Sequence, residues 1–219
     1  MSLSCIEVLT AKEPTAAIIW LHGLGADGRD FEAIVPQLML DPSLAIRFIF
    51  PNAPKIPVTV NGGMVMPAWY DILDMSIDRK VDTKQLEQSA DEVIALVEQE
   101  IARGIPSERI ILAGFSQGGA VVYQAALSYK KSLAGLLAMS TYFATANTIS
   151  FDNNNANLPI MIMHGSQDPV VPEALGQSAN KLLTDKKYQC QYKNYPMPHS
   201  VCAEQVNDIS AFINAALKS

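Results

Sequence analysis

Short runs of apolar residues alternate with amphipathic stretches along most of the chain. Ala16-Ala-Ile-Ile-Trp-Leu21 is a continuous apolar run that stops at His22-Gly-Leu-Gly25. Ile46-Arg-Phe-Ile-Phe50 stops at Pro51, and Arg109-Ile-Ile-Leu-Ala113 stops at Gly114. Leu133-Ala-Gly-Leu-Leu-Ala-Met139 and Ile160-Met-Ile-Met163 follow, while Tyr188-Gln-Cys-Gln-Tyr192 alternates as a half-exposed strand does. Runs this apolar predict strands covered on both faces, which is the habit of parallel sheets.

The intervening pieces read as helices. Leu86, Ala90, Val93, Val97 and Ile101 fall on one stripe over 83–103. Asp82 and Gln85 have the spacing of a capping box, and Gly104 and Pro106 end the helix. Leu175, Ala179, Leu182 and Leu183 make a second stripe, with Pro172 suited to a first helical position. Val206, Ile209, Ile213 and Leu217 make a closing helix, and 30–40 and 117–129 are read as helices too. Strand and helix in alternation predict one α/β domain over 1–219, a mostly parallel central sheet with helices on both faces.

Two stretches break the rhythm. Residues 52–80 carry Pro54, Pro57, Asn61-Gly-Gly63, Pro67, Trp69 and Tyr70 without a stable period. A long irregular segment in a compact domain is commonly functional. Residues 145–158, with Asn153-Asn-Asn155, read as a polar surface loop.

Composition narrows the function classes. The chain has 219 residues, with 16 basic against 22 acidic side chains and a formal charge of −6. That field is wrong for nucleic acid, and Lys186-Lys187 is too small a patch to reverse it. Three cysteines, Cys5, Cys190 and Cys202, have no CxxC spacing and suit a reducing compartment. The first residues lack a basic region followed by an apolar core, and no apolar run is long enough to cross a bilayer. The expectation is a soluble, cytoplasmic protein.

Candidate chemistry starts at Gly114-Phe-Ser-Gln-Gly118, a GxSxG pentapeptide between an apolar strand and a helical stretch. The turn is so tight that side chains flanking Ser116 would collide with strand and helix. A serine hydroxyl needs a base within hydrogen-bond reach, and the chain order of such sites is serine, acid, histidine. His199 is the histidine downstream of an acid that itself follows a strand, and Asp168 in His164-Gly-Ser-Gln-Asp-Pro169 is that acid. All three lie at carboxyl ends of predicted strands, where α/β sheets place ligands. The plainer readings are a serine cap, a turn aspartate beside Pro169 and a surface histidine.

The glycine-rich turn 23–28 can aim backbone N–H groups at a developing oxyanion, with Leu24 and Gln117 the best donors. His22 reads as a loop-ordering residue and His164 as structural. Cys202 lacks the glycine elbow of a nucleophile. The turn does not match GxGxxG, no Walker sequence is present, and zinc spacings fail. No cofactor or metal is expected.

Several separated motifs give the chain a resemblance. Leu21-His-Gly-Leu-Gly-Ala-Asp-Gly28, Phe50-Pro-Asn-Ala-Pro54, Pro67-Ala-Trp-Tyr-Asp71, Gly114-Phe-Ser-Gln-Gly-Gly119, His164-Gly-Ser-Gln-Asp-Pro-Val-Val-Pro172 and Pro198-His199 span nearly its whole length. Together they resemble the acyl-protein thioesterase and carboxylesterase family of α/β-hydrolases. The resemblance implies a minimal hydrolase core without a large cap domain, and hydrolysis of carboxylic esters by Ser116, Asp168 and His199. Leu24 and Gln117 are implied as oxyanion donors, and thioesters, lysophospholipids or acylated proteins as further substrates. Homodimers are common among relatives. Pro198 departs from the glycine that many relatives carry before the histidine, and proline restricts both itself and Met197.

Residues 61–67 resemble a variable loop bordering the acyl site. Met64, Val65, Met66 and Trp69 therefore form the expected substrate-binding surface, favouring apolar acyl groups. The alternative for Trp69 is an anchor tying the loop to the core. Two further readings stay open: a lipid-surface binding module with transient membrane contact, and a serine hydrolase of another bond class.

Overall fold

The computed structural model describes residues 3–76 and 79–218. Its strands and helices are β1 (Cys5–Leu9), β2 (Ala16–Leu21), α1 (Arg29–Glu32), β3 (Ile46–Pro51), β4 (Lys55–Val58) and β5 (Met64–Pro67). Then come β6 (Ile72–Asp74), β7 (Lys80–Val81), α2 (Thr83–Ala102), β8 (Ile110–Phe115), α3 (Gln117–Ser128) and β9 (Gly135–Met139). The chain closes with β10 (Ile160–Gly165), α4 (Glu173–Asp185), β11 (Cys190–Tyr195) and α5 (Ala203–Lys218).

Seven strands form the central sheet in the order β1-β3-β2-β8-β9-β10-β11. Only β1 runs antiparallel, paired to β3 at the edge. The other pairings are parallel, so the carboxyl ends of β2, β8, β9 and β10 open toward one side. Each strand sends alternate side chains to opposite faces. On β2, Ala17, Ile19 and Leu21 join the core under α2, α3 and α4, with Leu86, Val93, Val121 and Leu183. Ala16, Ile18 and Trp20 face the other layer, against Phe31 and the Ile209, Ile213 and Leu217 stripe of α5. Both faces are covered, as the apolar strands require.

Some local expectations shift. The single helix expected over 30–40 is instead α1 followed by a 3₁₀ turn at Val35–Gln37. Pro36 explains the break, because it has no N–H for an intrahelical bond and its ring collides with the preceding turn. The strand expected at 188–192 starts at Cys190. The turn after α4 uses up the residues before it: Lys187 has φ 68, and the Tyr188 N–H donates to the Leu183 carbonyl. Pro172 sits just before α4 as its cap rather than at the first helical position. Residues 52–80 contain two short antiparallel hairpins, β4–β5 and β6–β7.

The capping box at α2 is half made. The Asp82 carboxylate accepts from the Gln85 N–H at 3.0 Å. The Gln85 side chain turns away and accepts from the Asp71 N–H at 2.8 Å instead. The cap thereby fastens α2 to the end of the irregular segment. Asp82→Ala is expected to lower the unfolding free energy by about 1 kcal/mol, the usual worth of such a cap, in chemical denaturation.

Candidate active site

The turn from β8 into α3 is shaped by three glycines. A Cβ on Gly114 would lie 2.5 Å from the Gly118 carbonyl oxygen, and one on Gly118 would lie 2.6 Å from the His22 carbonyl oxygen. A Cβ on Gly119 would strike the Thr141 side chain at 2.6 Å. Strand, turn and helix approach too closely for any other residue. Between them Ser116 takes φ 54, a positive φ that is costly for a residue with a side chain. Its N–H donates to the Met139 carbonyl at 2.9 Å, and its carbonyl accepts from Thr141 Oγ1 at 2.6 Å. The strained serine is thus held from the end of β9.

The structure brings Ser116, His199 and Asp168 into one hydrogen-bonded chain. His199 Nε2 is 2.9 Å from Ser116 Oγ, and His199 Nδ1 is 2.6 Å from Asp168 Oδ2. A carboxylate accepts, so the proton sits on Nδ1 and leaves Nε2 free to accept from the serine hydroxyl. Asp168 is buried, and its Oδ1 accepts from the Val170 and Val171 N–H groups at 2.9 and 2.8 Å. The Phe115 ring packs against His199 with centroids 4.7 Å apart. Pro198 does not keep the histidine from its partners. Gly165 makes room for it: a Cβ there would meet the Met197 and Pro198 carbonyl oxygens at 2.4 and 2.5 Å.

A cavity of about 240 Å³ lies over the serine, bounded by Leu24, Ser116, Gln117 and His199 on one side and Ile72, Arg79, Tyr142 and Val171 on the other. Among the described residues, neither the Leu24 nor the Gln117 backbone N–H donates to a protein acceptor. A second hollow of about 410 Å³, lined by Phe31, Ile34, Phe115 and Val201 among others, adjoins His199.

The other histidines have structural partners. His22 Nδ1 is 2.7 Å from the Gly23 carbonyl and must donate, so Nε2 accepts from the Ala53 N–H at 3.1 Å. Burial pushes the His22 imidazole below the ordinary histidine value, against an opposite pull from the Gly23 carbonyl. His164 is fully buried, with Nε2 donating to the Val171 carbonyl at 2.8 Å, and burial lowers its pKa too. Among the described residues no group of three His, Cys, Asp or Glu side chains could hold a metal ion.

Met64, Val65, Met66 and Trp69 are placed outside the lining of the serine cavity. Met64 and Val65 stand on the β4–β5 hairpin, each 63% exposed, and Met66 is partly buried beside Gly25. Trp69 is only 1% exposed, and its indole N–H donates to the His22 carbonyl at 2.9 Å. Its backbone N–H donates to Gln117 Oε1 at 2.9 Å, while Gln117 Nε2 donates to the Tyr70 carbonyl at 2.6 Å. Trp69 thus ties this segment to the loop after β2 and to the start of α3. Sequence reasoning missed this Gln117 clamp, Thr141 under the serine, and the cavity walls Arg79 and Tyr142. A polar pair, Ser140-Thr141, directly after an apolar strand was the available signal for Thr141.

A doubly covered parallel sheet with a serine turn at a strand's carboxyl end defines an α/β-hydrolase of the serine hydrolase class. The chain belongs to the Phospholipase/Carboxylesterase family, whose sequence profile matches residues 4–217. Acyl-protein thioesterase 1 of Gibberella zeae is 36% identical over 218 residues, covering 94% of this chain and 93% of that protein. Its namesake in Neurospora crassa is 37% identical over 214 residues, covering 93% and 87%. The crystal structure of Zea mays acyl-protein thioesterase 2 superposes with a TM-score of 0.86 at 26% identity, covering 98% of this chain and 99% of that one.

Trp69→Ala is expected to cost about 3–5 kcal/mol, as other buried aromatic truncations do, read as a large fall in melting temperature. The two buried histidines also give a pH dependence. Their folded pKa values lie below the ordinary 6.5, so the unfolded chain binds more protons as pH falls through that value. Their contribution to stability is whole above pH 6.5 and is lost progressively on acidification. A melting temperature higher at neutral pH than near pH 5, with a shallower slope in His164→Gln, checks this.

Proposed function

We propose that the chain is a single-domain thioesterase and esterase that cleaves apolar acyl groups through Ser116, His199 and Asp168. The observation carrying this reading is the continuous hydrogen-bonded chain from Asp168 Oδ2 through His199 to Ser116 Oγ, at 2.6 and 2.9 Å. His199 Nε2 takes the hydroxyl proton as Ser116 Oγ attacks the acyl carbon. Asp168 keeps the imidazole in the productive tautomer and supports its positive charge without taking the proton. The imidazolium then protonates the departing thiol or alcohol, leaving an acyl-serine. Water then attacks the acyl carbon as it gives a proton to His199, and the imidazolium returns that proton to Ser116 Oγ as the Oγ–acyl bond breaks and the carboxylic acid leaves.

Leu24 and Gln117 border the same cavity as Ser116, and their N–H groups have no acceptor among the described residues, which suits them to the tetrahedral oxyanion. Each such donor contributes roughly 3 kcal/mol in the transition state. The thioester preference draws on the relatives, both of which are acyl-protein thioesterases. Oxygen esters, including lysophospholipids, follow from the same acyl-enzyme chemistry.

Three free thiols, Cys5, Cys190 and Cys202, support a reducing compartment such as the cytoplasm. No described helix is long and apolar enough to cross a membrane. The exposed Met64 and Val65 offer apolar surface for transient lipid contact or for a second copy of the chain.

A fluorophosphonate probe is expected to label the parent protein and not Ser116→Ala. In a panel of thioesters, esters, lysophospholipids and peptides, thioesters should be cleaved fastest and peptides left intact. Asp168→Asn should lower kcat by about 10⁴-fold while the fold persists. Labelling that survives in Ser116→Ala would overturn the assignment of the nucleophile.

A further inference from the structure

Two hollows meet at one wall beside the serine. The cavity over Ser116 and a neighbouring groove of about 230 Å³ share Arg79 and Tyr142 among their lining residues. Beyond that wall the groove presents Phe143, Leu175, Ala179 and Leu182 as an apolar strip, with Asn147 and Ser178 as polar members of its lining. It offers the kind of surface an extended acyl chain seeks.

The two members of the wall are held differently. Tyr142 is buried, and its hydroxyl lies 2.8 Å from the buried Tyr70 hydroxyl. It is a fixed post. The Arg79 guanidinium rests on the Tyr142 ring, 5.0 Å from its centroid. Arg79 Nη2 donates to the Val170 carbonyl, and Nη1 contacts Met75 Sδ at 3.3 Å. Its Nε is buried and has no acceptor among the described residues. Met75 and Val170 are 43% and 42% exposed, so this side of the wall stands at the surface. The arginine therefore spans from the turn between β6 and β7 to the loop carrying Asp168, as a bar across the rim.

We propose that Arg79 sets the acyl-length limit of the site: its bond to the Val170 carbonyl closes the way from the serine cavity into the groove. The proposal rests on the acyl-serine reading above and deepens it. Short acyl groups fit wholly on the serine side. A longer chain must displace the guanidinium from Tyr142 and from Val170 before its distal carbons reach Leu175 and Leu182. Taking the side chain away joins the two hollows.

The test is the ratio of kcat/KM for p-nitrophenyl dodecanoate to that for the acetate, in the parent and in Arg79→Ala. Each methylene that a pocket accepts or rejects shifts specificity by roughly tenfold or more, so the ratio should rise by at least about tenfold in the variant. Arg79→Met keeps a stem of similar length over Tyr142 but loses the bond to Val170. It should move the ratio the same way and serves where the alanine variant does not fold. A folded variant, still labelled by fluorophosphonate, that keeps the parent's ratio overturns the bar. A parent protein that neither reacts with the probe nor cleaves any ester overturns the acyl-serine reading, and the bar with it.

Discussion

Everything around the candidate nucleophile depends on how closely three pieces of backbone approach at the β8–α3 turn. Gly114 faces the Gly118 carbonyl, Gly118 faces the His22 carbonyl, and Gly119 faces Thr141, each with no room for a Cβ. The glycines spend backbone entropy to permit this, and Ser116 carries the strain at φ 54. Such a conformation persists only where neighbours over-determine it. Here they come from β9 and the residues just after it: Met139 accepts from the serine N–H, and Thr141 donates to its carbonyl. The hydroxyl is presented at the sheet edge because the backbone has no alternative there.

The same turn organises the chain on either side of it. Gln117 is the first residue of α3, yet its amide grips Trp69 and Tyr70 across the irregular segment. Trp69 in turn bonds the His22 carbonyl, beside which Gly118 is packed. The glycine-rich loop after β2, the Trp69 segment and the nucleophile turn are therefore one interlocked unit. Asp168 plays the corresponding part on the other side. It ties its own loop through the Val170 and Val171 N–H groups and spends its second oxygen on His199. The carboxylate that orients the histidine also shapes the loop against which Arg79 closes.

These connections explain what could be read from the chain and what could not. Ser116 was legible because a steric requirement writes itself as glycines at fixed offsets. Asp168 and His199 were legible because parallel strands deliver their carboxyl ends to one side, so position after a strand is already position in space. The fold followed from apolar runs for the same reason. The cavity wall was not legible, because Arg79, Tyr142 and Val170 meet only through tertiary packing of three loops with no period of their own. Trp69 shows the limit most plainly. A large aromatic in an irregular segment reads equally as pocket or anchor, and the burial of its ring and the direction of its indole N–H, toward the His22 carbonyl, come only from tertiary packing.

Burial of Trp69 also changes the meaning of the apolar residues around it. With the tryptophan fastened inward, the β4–β5 hairpin is held at its base, and Met64 and Val65 are left facing outward, away from the serine cavity. The residues that bound the cavity itself are held in two ways. Ile72, Tyr142 and Val171 are buried in the packed core, so their positions are set by the same contacts that stabilise the sheet. Arg79 differs, because its long stem and charged head are held at the exposed rim, by the Val170 carbonyl, Met75 Sδ and the Tyr142 ring face. A site built on so rigid a turn has little freedom to adapt at the nucleophile, and variation in what it accepts is concentrated where a side chain can be moved without disturbing that turn.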